Sequence, residues 1–203
     1  MAKAATKRMA RNSSADKRAT ILRAATRVFA RNGYFNSKVA DIARAADVAD
    51  GTVYLYFKSK EEILHSIFDQ NVEEAIGAAR SLIEGISDPR EKLRRVASLH
   101  LERLGADRNL AVVFQVELRG STKFMREFSA AGFAEYLALL RQIFEEGQAA
   151  GVFRNQVNSK LAAKILFGAL DEMATNWIIS KRNYKLAPMA DVVMDVFLNG
   201  VSK

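Results

Sequence analysis

The stretch from Lys38 to Leu64, KVADIARAADVADGTVYLYFKSKEEIL, constrains the fold of this 203-residue chain more than any other. It predicts two short helices, a tight turn and the start of a third helix, and small apolar residues let the two short helices cross closely, namely Ile42, Ala43, Ala46 and Val48. Its middle, DGTVY, predicts a short polar and aromatic helix with little surface of its own to bury. We interpret the stretch as a helix-turn-helix whose second helix enters the major groove of DNA.

The positive charge of the chain is concentrated in the same region. The net charge is +8, and residues 1–60 contain 13 Lys or Arg against four Asp or Glu, whereas residues 61–203 contain 18 against 19. A basic, solubilising surface would not confine the excess to the helix-turn-helix segment, whereas a polyanionic partner would. We therefore predict double-stranded DNA as a partner. Residues 1–14 predict a mobile basic arm, which is either solvated or in contact with phosphates or the minor groove.

The helix-turn-helix stretch resembles the DNA-binding signature of TetR/AcrR-type repressors. The matching residues are Ile42-Ala43, Ala46-Asp47-Val48, Gly51, Tyr54, Tyr56-Phe57 and Lys60. Asp47 stands where the family commonly has Gly, and Asp tolerates the left-handed backbone that such a turn requires. Ala49 stands where the family often has Ser or Thr, and Asp50 is the candidate replacement for the helix cap.

Candidate DNA-binding residues follow from this reading. Ser37 is the expected N-cap of the second helix, at an N-terminus that can also bind phosphate. Thr52 is the candidate for contacting a base edge or a thymine methyl group, and Tyr54 is either core or a DNA contact. The resemblance implies phosphate contacts by Tyr56 and Lys60. The full predicted set is Ser37, Lys38, Asp50, Gly51, Thr52, Tyr54, Tyr56, Lys58 and Lys60.

Helical periodicity continues to the end of the chain, so the predicted fold is all-α with about nine helices. The first helix is expected from about Asp16, the sixth over 106–118 and the seventh from about Thr122. Ser59 is expected to cap a long fourth helix, and either Asn158 or Ser159 the eighth. The predicted domains are the basic arm and helix-turn-helix over 1–60, and an effector-binding and dimerisation domain over 61–203. The last two helices carry apolar residues on more than one face, and Gly168 permits close approach, which predicts a homodimer.

Several function classes lack support in the sequence. No apolar run approaches the length of a membrane span and no signal peptide opens the chain, so we expect no membrane partner. The absence of cysteine fits a cytoplasmic location, and two histidines argue against a His-rich metal site. We find no nucleophile–base pair, phosphate loop or paired carboxylates, which argues against an enzyme and a cofactor. His100 is expected to be a satisfied core histidine.

Residues 61–203 contain more aromatic and flexible apolar side chains than a small helical core requires. Each alone is best read as core, but together they suit a cavity between the fifth, seventh and eighth helices. The segments VELRGSTKFMREF and DEMATNWIISKRNYKL are similar to the acyl-CoA-responsive, FadR-like branch of the TetR family. This resemblance implies long-chain acyl-CoA as effector, with cations at its phosphates. The predicted ligand-binding residues are Phe114, Arg119, Lys123, Arg126, Phe128, Phe133, Met173, Asn176, Trp177, Lys181 and Arg182.

The resulting hypothesis is a repressor that binds a palindromic operator of fatty acid degradation genes and is released by long-chain acyl-CoA. One alternative is a TetR-type repressor for another hydrophobic effector, such as a drug or an aromatic compound. The basic candidate residues argue against a cationic drug. Another alternative is an architectural DNA-binding protein whose C-terminal domain has a filled core and no ligand.

Overall fold

The computed structural model describes residues 2–120, 124 and 132–202, with side chains from residue 16 onward. This part of the chain forms nine α-helices, which confirms the predicted all-α fold. They are α1 Ala2–Asn32, α2 Val39–Ala45, α3 Asp50–Tyr54, α4 Lys60–Ile83, α5 Pro89–Ala106, α6 Arg108–Val112, α7 Gly132–Ala149, α8 Ser159–Ile179 and α9 Met189–Val201. A π-helical turn, Val113–Glu117, directly follows α6. No helix in this described part combines the length and hydrophobicity that a membrane span requires.

Contacts divide the chain into two units, residues 1–68 and 69–203. The first unit contains α1, α2, α3 and the beginning of α4. Its buried side chains include Ile21, Ala25, Phe29, Ile42, Val53, Phe57, Ile63 and Ile67. The predicted domain boundary at residue 60 stays a prediction.

The second unit is built around α8, which packs against α5, α6, α7 and α9. Its core contains the apolar side chains that the helical period placed on one face of each helix. They include Leu93, Val96, Leu101, Leu140, Ile143, Phe144, Leu166, Leu170 and Met194. The isolated antiparallel bridge between Phe153 and Ser202 ties the loop after α7 to the end of α9.

Two predicted caps are confirmed. The backbone N–H of Glu62 donates to the Ser59 hydroxyl over 3.1 Å, and the Glu62 carboxylate accepts from the backbone N–H of Lys58 over 2.6 Å. Asn158 caps α8 by accepting from the backbone N–H of Leu161 over 3.0 Å. Both caps satisfy N–H groups that a helix start leaves without an intrahelical partner.

Two helix boundaries differ from the sequence-based expectation. Helix α1 begins at Ala2 rather than near Asp16, so residues 2–14 belong to the helix that was expected to begin after them. Those residues contain no Pro or Gly and are rich in Ala, Lys and Arg, which favour helix. The sixth helix was expected over 106–118, but α6 begins at Arg108 and changes to the π-helical turn at Val113. The expected start of the seventh helix at Thr122 lies outside the described residues.

Gly147 in α7 generates a stability prediction, because a Cβ there would stand 2.2 Å from Cδ2 of Phe153. The Phe153 ring is fully buried and stacks on Phe144 with ring centroids 4.9 Å apart, so it has little room to move. We expect Gly147→Ala to lower the free energy of unfolding by about 2 kcal/mol, measured by chemical denaturation. Gly77→Ala is the matched control, since a Cβ there meets no atom within 4 Å. That substitution should be neutral or stabilise by up to about 1 kcal/mol. Equal effects would contradict the packing argument.

Candidate nucleic-acid interface and effector site

The turn between α2 and α3 has the left-handed residue that the sequence predicted. Asp47 has φ = 56°, the single positive φ of a non-glycine residue in the described chain. The backbone N–H of Val48 donates to the Ala43 carbonyl over 3.0 Å, which closes the end of α2. Ile42 and Ala43 of α2 and Val53 of α3 are fully buried, so the two helices share one small core.

Helix α3 buries only Val53 and leaves the rest of its surface accessible. Tyr54 is 57% exposed, which answers the question left open by the sequence in favour of an outward position. Asp50 and Gly51 are exposed, and Thr52 is half-buried. Asp50 is the first residue of α3, preceded by Ala49, and no side chain caps the helix; the expectation that Asp50 replaces the cap is therefore wrong. A short helix with one buried residue and an open face fits a recognition helix.

Ser37 does not cap α2, contrary to the prediction. Its side chain is 2% exposed, and its hydroxyl donates to the Gly33 carbonyl over 2.7 Å. The cap position belongs to Lys38, whose backbone N–H donates to the Asp41 carboxylate over 3.0 Å. The end of α1 leaves carbonyl groups without helical partners, and the buried Ser37 hydroxyl satisfies one of them.

Lys60 is turned into the first unit rather than left free at its surface. Its ammonium group donates to the carbonyls of Tyr34 over 2.7 Å and Ser37 over 2.8 Å, and lies 4.4 Å from the centroid of the Tyr34 ring. Desolvation lowers the pKa of Lys60. The lysine therefore braces the loop between α1 and α2, and a phosphate contact would have to compete with these bonds. Lys58, in contrast, is exposed, and Tyr56 is half-buried.

A buried polar cluster connects the π-helical turn to α8 in the second unit. The Gln115 amide donates to one Asp171 carboxylate oxygen over 2.8 Å, and the Arg119 guanidinium donates to the other. The Thr175 hydroxyl donates to the Gln115 side-chain oxygen over 3.0 Å. Gln115 and Asp171 are 6% and 9% exposed, so each needs such partners. Arg119, predicted to bind effector phosphates, is thus already paired with a carboxylate.

An aromatic cluster surrounds His100 of α5. Its Nδ1 lies 3.1 Å from the Tyr136 hydroxyl, and the Phe167 ring meets the imidazole edge-on with centroids 5.8 Å apart. Phe133, a predicted ligand-binding residue, packs on Phe167 at 4.7 Å. Burial lowers the pKa of His100 to about 4, although the Asp171 carboxylate acts to raise it, so the imidazole is neutral at pH 7. Its Nε2 is shielded from solvent and has no hydrogen-bond partner in the described chain. The expectation of a satisfied histidine therefore holds for one ring nitrogen only.

Trp177 is anchored at the end of α8. Its indole N–H donates to the Tyr184 carbonyl over 2.9 Å, and the Arg108 guanidinium lies 4.9 Å from the centroid of its ring. The exposed Asn176 donates to the Glu172 carboxylate over 2.6 Å. The Trp177 contacts tie the C-terminal end of α8 to α6 and to the segment after α8, whereas the Asn176 bond lies within α8.

The remaining predicted ligand-binding residues are divided among several environments. Phe114 and Met173 are half-buried, whereas Lys181 and Arg182 are exposed in the segment after α8. Lys123, Arg126 and Phe128 lie outside the described residues. The predictions for all of them stay predictions.

Five polar residues of the two clusters were not among the site residues predicted from the sequence. They are His100, Gln115, Tyr136, Asp171 and Thr175. A signal was present, because Gln115 interrupts the apolar run AVVFQV and Asp171 follows the apolar run ILFGAL. A polar residue on a buried helix face needs a partner, and the sequence did not show which helix would supply it.

Comparisons with known proteins agree with the helix-turn-helix geometry. Residues 21–67 match the family model "Bacterial regulatory proteins, tetR family", and residues 68–200 match "YsiA-like protein, C-terminal region". The fatty acid metabolism regulator protein of Bacillus subtilis (strain 168) is 38% identical over 181 residues, covering 89% of this chain and 93% of the relative.

Two solved structures are similar over nearly the full chain. The fatty acid degradation regulator FadR from Bacillus halodurans has a TM-score of 0.87 and 38% identity, covering 91% of this chain and 95% of that one. FadR from Bacillus subtilis in complex with stearoyl-CoA has a TM-score of 0.84 and 37% identity, covering 89% of this chain and 97% of that one.

Two lysines near the start of α4 should separate bracing of the fold from phosphate binding. Lys60→Met removes the donor for two loop carbonyls, and we expect it to lower the free energy of unfolding by about 1–2 kcal/mol. Lys58→Met removes the same charge from an exposed position and should leave stability within about 0.5 kcal/mol, while weakening DNA binding. Thermal denaturation and fluorescence anisotropy with duplex DNA measure the two effects. Equal stability of the variants would contradict the bracing role of Lys60.

Proposed function

Because the chain belongs to the TetR family of bacterial regulatory proteins, we propose that it is a cytoplasmic, ligand-responsive transcriptional repressor. It binds a palindromic operator of fatty acid degradation genes and is released by a long-chain acyl-CoA. The observation that carries the DNA-binding part is the helix pair α2–α3, in which α3 buries one residue and exposes its other face. The family assignment also agrees with the prediction that the chain is not an enzyme.

The exposed face of α3 and its flanks supply the proposed contacts to DNA. Thr52 and Tyr54 reach the base edges, with Asp50 and Gly51 at the helix start closest to the duplex. The residues proposed to bind backbone phosphates are Lys38, Tyr56 and Lys58, which are exposed or half-buried. Ser37 and Lys60 act indirectly, since their side chains hold the loop between α1 and α2. The residues that contact DNA are therefore different from those that hold the loop in position.

The proposed effector is supported by the relative that was solved with stearoyl-CoA. An acyl chain needs an apolar environment, which the half-buried or buried Phe114, Phe133, Met173 and Trp177 offer in this unit. Lys181 and Arg182 are exposed and provide charge for the CoA phosphates, together with Lys123 and Arg126. Arg119 donates to Asp171 through Nη2, so a bond to the ligand uses its other N–H groups or replaces this one. The effector releases DNA if it binds more tightly to a conformation that has low operator affinity.

A homodimer is supported by apolar side chains that a single chain leaves uncovered. Leu161 and Ile165 of α8 and Val192 and Val196 of α9 are 54–71% exposed, and each pair is spaced four residues apart on its helix. Gly168 continues the α8 stripe, and a Cβ there would meet no atom within 4 Å. A second copy of the chain can cover these stripes with its own, as a twofold interface requires. A palindromic operator then matches the twofold symmetry of the protein.

The proposed response to acyl-CoA is tested by titrating the protein–operator complex. We expect palmitoyl-CoA to lower operator affinity at least tenfold, measured by fluorescence anisotropy with an operator selected from random duplexes. Coenzyme A and palmitate, added separately, should each have a much smaller effect, because neither carries both the chain and the phosphates. Unchanged operator affinity at saturating palmitoyl-CoA would refute the acyl-CoA response and leave the DNA-binding assignment intact.

The proposed dimer is tested by placing a charge in the uncovered stripes. We expect Ile165→Asp and Val196→Asp each to shift the mass in light scattering from a dimer towards the 22.5 kDa of a single chain, because a charge cannot be buried there without a partner. Leu82→Asp is the control, since Leu82 is also exposed but lies on α4. A dimer that survives both substitutions, or that is lost equally in the control, would contradict this interface.

A further inference from the structure

We propose that His100 recognises the carbonyl oxygen of the effector's acyl group, with its Nε2–H as the hydrogen-bond donor and Tyr136 as the residue that positions it. The proposal rests on the function proposed above, since it presupposes that an acyl-CoA binds the second unit. It adds a specific polar contact to a site described so far by apolar side chains and phosphate-binding cations. Its starting point is a buried ring nitrogen without a partner in the described chain.

The hydrogen bonds that His100 and Tyr136 can make indicate which nitrogen of the imidazole ring carries the hydrogen. If the Tyr136 hydroxyl donates to Nδ1, Nε2 carries the hydrogen, and Nε2–H is the one donor of the pair that lacks an acceptor. If Nδ1 instead donates to Tyr136, both the phenol hydrogen and the Nε2 lone pair lack partners in the described chain. The first arrangement leaves fewer buried groups unsatisfied and is favoured. The ligand group that bonds Nε2–H of His100 must therefore be a hydrogen-bond acceptor.

The surroundings of His100 select a neutral acceptor attached to an apolar chain. Phe167 meets the imidazole edge-on, and Phe133 extends the aromatic surface from Phe167. Because the imidazole is neutral, it offers a hydrogen bond without a full positive charge, which suits a carbonyl better than a phosphate or a carboxylate. A thioester carbonyl at the head of an acyl chain meets these requirements.

Two ligands that differ in one oxygen test the contact directly. S-hexadecyl-CoA is the thioether analogue of palmitoyl-CoA and keeps the chain and the phosphates but lacks the carbonyl oxygen. We expect the wild-type protein to bind palmitoyl-CoA about tenfold more tightly than the thioether, which corresponds to one buried hydrogen bond. The dissociation constants are measured by calorimetry on the full-length protein. The preference should persist from pH 6 to pH 8, because burial lowers the pKa of His100 and raises the pKa of Tyr136, so that both stay neutral in this range.

Variants of His100 assign the preference to this side chain. His100→Leu should remove the preference by weakening palmitoyl-CoA binding to the level of the thioether while leaving thioether binding within about twofold. His100→Gln keeps an N–H donor near the ε position and should recover part of the preference. Tyr136→Phe should reduce it partly, because the imidazole then loses the group that selects its tautomer. His65→Leu, which changes the other histidine of the chain, is the matched control and should leave both affinities unchanged.

The outcomes separate the two proposals. If neither ligand binds the wild-type protein, the acyl-CoA response fails and the His100 contact fails with it. If both ligands bind wild type equally, the effector class stands and the His100 contact is wrong. A preference that survives in His100→Leu, with the melting temperature showing a folded variant, would also overturn it. If His100→Leu does not fold, His100→Gln and Tyr136→Phe take its place. An undiminished preference for palmitoyl-CoA in both folded variants would overturn the His100 contact.

Discussion

The buried carboxylate of Asp171 is the constraint around which the polar groups inside the second unit are arranged. A charge removed from water is tolerated only when its oxygens are hydrogen-bonded, and here Gln115 and Arg119 occupy both. This requirement joins α8 to the π-helical turn after α6, whose wider backbone presents Gln115 towards the interior. The same charge acts on His100 across the unit. One carboxylate thereby joins α8 to the π-helical turn and places a polar centre beside the aromatic cluster.

The first unit, which binds DNA, has a different constraint. It must hold α3 in place although this five-residue helix buries only Val53. Such a helix has little stability of its own, so its orientation comes from the residues around it. Asp47 adopts the left-handed backbone that ends α2, while Ser37 and Lys60 bond the carbonyls of the preceding loop. These side chains are committed to the fold, which leaves the outer face of α3 available for a partner.

The sequence predicted the elements defined by local pattern and missed those that depend on distant partners. The all-α fold, the Ser59 and Asn158 caps and the left-handed Asp47 follow from periodicity and from short-range hydrogen bonds. Ser37 was wrongly predicted to cap α2, because the prediction used only its position before that helix. The structure shows that its hydroxyl instead bonds a carbonyl at the end of α1. Asp50 was misplaced by one residue, a shift that converts a cap into the first helical position.

The sequence by itself determined the family, the helical architecture and the presence of a basic DNA-binding head, since these depend on residue spacing and charge. Only the tertiary structure decided what individual polar side chains do. Arg119 is paired with a buried carboxylate and Lys60 with loop carbonyls, although each looks like a free cation in the sequence. His100 has one satisfied and one unsatisfied ring nitrogen. The physical reason is that hydrogen-bond satisfaction is set by atoms far apart in the chain, which packing alone brings within 3 Å or so of each other.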